Sequence, residues 1–82
     1  MDSDSTIVLR LTKEEAVVFF EWLSRVQESD QFEHLIEDES ERIVVDDLVC
    51  DLEKALPEPL APDYGQVLAT YRKALRGKRQ TD

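Results

Sequence analysis

The amino-acid sequence predicts a mainly α fold: a compact three-helix domain with one short N-terminal β-strand and a short extra helix in an acidic loop. Three observations carry this. Apolar residues recur at helical spacing over three long stretches. A short alternating apolar run precedes the first of them. Helix-start residues and a proline-rich break separate the stretches.

Thr6-Ile7-Val8-Leu9-Arg10-Leu11 alternates as a strand does, with Ile7, Leu9 and Leu11 on one face and Val8 and Arg10 on the other. Thr12-Lys13-Glu14-Glu15 then has the spacing of a capping box. The Thr12 hydroxyl accepts from the Glu15 amide, the Glu15 carboxylate accepts from the Thr12 amide, and Leu11 stands at the staple position. The helix that follows is expected over about Lys13 to Glu28. Ala16, Phe19, Phe20, Leu23 and Val26 share its inner face, Val18 and Trp22 widen the apolar arc, and Val17 falls among the polar positions.

Phe32, Leu35 and Ile36 have the one-turn spacing of a short helix inside the acidic stretch Ser29 to Ser40. A second long helix is expected from about Glu39 to Leu56, capped by Asp38 or Ser40, with Val45, Leu48, Val49, Leu52 and Leu56 as its core stripe. The alternating prolines of Pro57-Glu58-Pro59-Leu60-Ala61-Pro62 stop that helix and favour a stiff, extended connector with Leu60 packed inward. Asp63-Tyr64-Gly65-Gln66 offers a second capping-box-like start. The last helix is expected from about Tyr64 to Arg76, with Val67, Leu68, Tyr71, Ala74 and Leu75 inside and Gly77 just past its end. Lys78 to Asp82 is expected to fray.

An 82-residue chain makes a single domain, 1–82, with an ordered core of about 5–77. Its apolar fraction of 41% suffices for one core and is too high for a disordered chain. So small a body has little room for a walled substrate pocket, so a binding surface or a site shared across a dimer is easier to build. The single cysteine, Cys50, excludes an internal disulfide framework and a cysteine-based zinc site. The acidic, polar start Met1-Asp2-Ser3-Asp4-Ser5 lacks the pattern of a secretory leader, and no apolar run reaches membrane-spanning length. A cytoplasmic protein is the expectation.

Charge is the strongest functional clue. From Glu28 to Glu53 the chain carries eleven acids and only one base, Arg42, within a formal net charge of -9. Cations gather near the other end, at Arg72, Lys73, Arg76, Lys78 and Arg79. Such a balance repels phosphate backbones and anionic lipid, so neither direct nucleic-acid binding nor membrane association is expected. The cations have a plain structural use at a helix C-terminus or against an acidic neighbouring helix.

Catalytic chemistry is poorly supported. Glu33, His34, Glu37 and Asp38 supply metal-binding side-chain types, but no glycine precedes Gly65 to turn a calcium loop. A solvated histidine in an acidic loop explains His34 better than a zinc ligand does. Asp47 and Asp51 lie one turn apart, as in magnesium sites for diphosphate chemistry, but no facing acids are apparent. Cys50 stands among Asp46, Asp47 and Asp51, which suppress a thiolate. No glycine-rich loop can cradle a phosphate, and no cofactor is expected.

In size, acidity and its Glu33–Glu41 segment, the chain is similar to bacterial immunity proteins that neutralise toxins. That resemblance implies an acidic, non-catalytic inhibitor of a basic toxin such as a nuclease. Its contact surface would comprise Glu33, Glu37, Asp38, Glu39, Glu41, Asp46 and Asp47, with Trp22 as an apolar anchor. Leu9 to Ala16 running into Phe20-Glu21-Trp22-Leu23, with the later Glu58-Pro59-Leu60-Ala61-Pro62-Asp63-Tyr64, also resembles a type of small bacterial protein with no established activity. Neither resemblance carries a catalytic residue. Two other functions remain open: a homodimeric adaptor or regulatory subunit paired through the strand Thr6–Leu11, and a metal-dependent phosphohydrolase-like fragment using Asp47 and Asp51.

Overall fold

The computed structural model describes residues 5–80, with side chains through Lys78. The acidic start Met1–Asp4 and the last two residues of the expected frayed end lie outside the described residues. Four helices and one 3-10 turn follow in order: α1 Lys13–Glu28, α2 Phe32–Leu35, α3 Glu39–Ala55, the turn Glu58–Leu60, and α4 Tyr64–Gln80. The mainly helical reading holds, as do the positions of all three long helices and the short one.

The expected capping box forms at the start of α1. The Glu15 amide donates to Thr12 Oγ1 at 3.1 Å, and the Thr12 amide donates to Glu15 Oε1 at 2.8 Å. Accepting that amide holds the Glu15 carboxyl below its ordinary range. Asp38 caps α3, as expected, with its carboxylate accepting from the Ser40 amide at 2.8 Å. The Asp63 carbonyl accepts from the Gln66 and Val67 amides at the start of α4, but its side chain makes no hydrogen bond among the described residues.

Helix α1 is central. It packs on α3 and on α4, α2 leans on it, and the 3-10 turn packs on α4. Ala16, Val17 and Phe20 of α1 meet Leu56 and Leu68 in the core cluster, against which Val49, Leu52, Tyr64 and Tyr71 pack. Leu23 and Phe32 are buried outside that cluster, one on each of two elements in contact. Two polar ties close the frame. Lys13 Nζ donates to Glu58 Oε2 at 3.0 Å, and the Tyr64 hydroxyl donates to Glu21 Oε1 at 2.9 Å.

Several expectations are corrected. No β-strand exists among the described residues: Thr6–Leu11 pairs with nothing and no backbone hydrogen bond engages it. A strand needs a partner for its backbone groups, and the described residues supply none. Val17, expected on the polar side of α1, is 0% exposed. The polar side was inferred for a helix buried along one stripe, whereas α1 has neighbours on more than one side. The α3 stripe is shallower than expected: no α3 residue is fully buried, and Leu48 is 40% exposed. The connector coils into a 3-10 turn rather than staying extended, and it turns Leu60 outward, 90% exposed. Helix α4 runs on to Gln80 and carries Gly77 inside it, without a positive φ.

Candidate functional site

Two surfaces stand out, one acidic and one apolar. The acidic elbow is built by the α2–α3 junction. Phe32 is buried and anchors α2, and Asp38 starts α3 at a fixed point. Between them, Arg42 gathers the acids. Its Nη2 lies 2.6 Å from Glu33 Oε1, its Nε lies 3.2 Å from Glu39 Oε1, and its guanidinium sits 5.4 Å from the centroid of the Phe32 ring. Hydrogen bonding to Arg42 holds the Glu33 carboxyl below its ordinary range. The same contacts, with Glu33 first and Glu39 next, keep Arg42 more firmly protonated than usual. Glu41 Oε1 accepts from the Glu37 amide at 2.8 Å. Hydrogen bonds from Ser40 hold the Asp38 carboxyl low.

All seven acids expected at a partner surface, Glu33, Glu37, Asp38, Glu39, Glu41, Asp46 and Asp47, are exposed. They are not equivalent. Glu33, Asp38, Glu39 and Glu41 are engaged in organising the elbow. Asp46 accepts from Gln27 Nε2 and so ties α3 to α1. Among the described residues, the carboxylates of Glu37 and Asp47 make no hydrogen bond or ion pair, so they are the acids most available to a partner. Arg42, which organises the elbow, had a legible signal: it is the one base in the acidic block.

Among the described residues, no group of three or more His, Cys, Asp or Glu side chains converges. Asp47 and Asp51 are on the exposed surface of α3, and among the described residues no carboxylates converge on them as magnesium-dependent diphosphate chemistry needs. His34 and Cys50 are both exposed.

The apolar surface lies around Thr6–Leu11. Ile7, Val8 and Leu9 are 84%, 80% and 81% exposed. An open groove of about 580 Å³ runs between this segment, α1 and α4, lined by Leu9, Leu11, Val18, Phe19, Trp22 and Leu75, with Glu15, Arg25 and Arg72 completing it. On the other side, a groove of about 440 Å³ is lined by Ile7, Leu9, Leu11, Phe19, Leu48 and Leu52, together with Asp51 and Ala55. Trp22 is half exposed and also borders a smaller hollow with Val26 and Leu35. Trp22 is therefore placed with the apolar surface. The sequence placed Arg72 only in the C-terminal basic cluster and gave Arg25 no site role, although Arg25 stands one turn from Trp22.

The basic cluster is partly engaged. Lys78 Nζ lies 3.9 Å from Glu15 Oε2, joining the end of α4 to the start of α1. The Arg79 side chain lies outside the described residues. No helix among the described residues is long and apolar enough to cross a membrane. Comparison with protein families, curated proteins and solved structures found no match to this chain.

Proposed function

We propose that this chain is a non-catalytic protein-binding module, an immunity or inhibitor protein whose acidic elbow docks on a basic partner such as a nuclease toxin. The supporting observation is the arrangement of the elbow. Its carboxylates are exposed but positioned by Arg42, by the α3 cap and by the Glu41 contact. A pre-positioned charged surface loses less side-chain entropy on binding, and a concentrated field speeds association with an opposite charge. The protein acts in the cytoplasm in this reading, where such an inhibitor protects its own cell.

The test uses Glu37 and Asp47, whose reversal leaves the elbow's internal contacts in place. Proteins captured by the wild type from the cell that encodes it are compared with those captured by Glu37→Lys/Asp47→Lys, at low and high salt. Basic partners should be retained by the wild type at low salt and lost with the variant and with added salt. Identical capture by both proteins removes the elbow as the docking surface.

A second reading is a homodimeric adaptor or regulatory subunit. The observation favouring it is separate: a bare apolar segment flanked by two apolar grooves.

A further inference from the structure

We propose that a second copy of this chain covers the apolar seam, its Thr6–Leu11 segment pairing antiparallel with the same segment about a two-fold axis centred on Leu9. The inference deepens the dimeric reading and is independent of the acidic elbow.

The alternation of a strand is present without its ladder. Ile7, Leu9 and Leu11 line the grooves, whereas Val8 and Arg10 line neither. Among the described residues, no backbone hydrogen bond reaches this segment. It also contains no proline or lysine, the residues that blunt an exposed edge. Its unpaired amides and carbonyls are a template for another extended chain.

An antiparallel pair with two-fold symmetry places like faces together, because the axis stands perpendicular to the ribbon. Centred on Leu9, the pairing sets Leu9 against the partner's Leu9 and Ile7 against the partner's Leu11. Every groove-facing position is then apolar. Val8 falls opposite the partner's Arg10 on the outer face. The partner's apolar side chains also supply what the grooves beside Trp22 and Leu48 lack.

Area favours a second copy. The chain exposes 6693 Å², against about 5,000 Å² for a compact monomer of its mass. A standard interface covers roughly 800 Å² on each partner, so the surplus is large enough to supply one. Approach is the difficulty for two molecules of charge -9 each. The charged lining residues are Arg25, Arg72 and Glu15 at the larger groove, where bases outnumber acids, and Asp51 at the smaller one.

Sedimentation equilibrium over a wide concentration range, with helical circular dichroism as the folding control, supplies the first arm. The wild type should be a dimer, and Leu9→Lys should be monomeric with unchanged helical content, since Leu9 is 81% exposed. The second arm introduces Leu9→Cys with Cys50→Ser. A residue on the axis faces its own copy at about 4.5–5.5 Å between Cα atoms, within disulfide range. Mild oxidation should therefore cross-link Leu9→Cys, and Arg10→Cys in the same background should cross-link far less. A wild type that stays monomeric overturns both the dimeric reading and this seam. A dimer that survives Leu9→Lys and leaves Leu9→Cys uncross-linked overturns the seam alone. A foreign protein that binds this face of a monomeric chain also overturns it.

Discussion

Single side chains do unequal work here, and Tyr64 shows how much one can do. Its ring packs against the core cluster while its hydroxyl donates to Glu21 on α1, so one residue joins α4 to the central helix through both apolar and polar contact. Burial pushes its phenol up to about 12, helped by the Glu21 hydrogen bond and charge and opposed by Arg72. The folded-state value lies above the ordinary one of about 10. Its contribution to stability is therefore complete below pH ~10 and is lost as pH rises through the folded value near 12. On alkaline titration the phenolate absorbance should include a step delayed to about pH 12, assigned to Tyr64. That step should be absent from Tyr64→Phe. Loss of the hydrogen bond in that variant should also cost about 0.5–1.5 kcal/mol.

At the scale of elements, caps decide where helices begin, and neighbours decide which faces are buried. The Thr12–Glu15 box and the Asp38 cap use only local atoms, so both were readable from residue order. The end of α4 was not. Gly77 has the position of a helix terminator, but here it sits within the helix with no positive φ, and beyond its own stretch of helix backbone nothing lies within 4 Å of where a Cβ would stand. Its freedom in the unfolded chain is thus a cost without a structural use. Gly77→Ala should stabilise the protein by up to about 1 kcal/mol, seen as a raised urea midpoint with an unchanged slope. A fall in that midpoint would mean that α4 ends before Gly77 in solution.

The whole molecule is thinly held. Only seven described side chains are buried, and the radius of gyration is 14.9 Å, against about 12 Å for a compact chain of this length. A domain of this size has about 4–12 kcal/mol of stability in total. Phe20→Ala removes the largest side chain of the core cluster, which costs about 3–5 kcal/mol. That variant should unfold at a much lower denaturant midpoint than the wild type, as read by circular dichroism. If Phe20→Ala unfolds with an almost unchanged midpoint, the cluster around Val17 does not carry the fold. The thin core also bears on function. A chain with this much apolar surface in contact with water gains stability from any partner that covers it, so folding and association are linked.

The sequence by itself determined the helices, their main starts and the concentration of acid, because periodicity, capping and charge are properties of neighbours along the chain. Phe32 and Leu23 were readable as apolar anchors, and the elbow acids were all in view. Tertiary structure decided the rest. Val17 became the most buried residue because α1 has neighbours on more than one side, and Leu60 turned outward because the connector coils. Asp46 was drawn to Gln27, and Glu33 and Glu39 to Arg42, leaving Glu37 and Asp47, of the seven acids expected at the partner surface, without such ties among the described residues. The strand pattern of Thr6–Leu11 was legible, but its ladder was not, because a ladder depends on a second strand and none lies within the described residues. Local order sets what each segment is able to become. Only the packing of segments against one another settles which side chains are used within the fold and which remain at its surface.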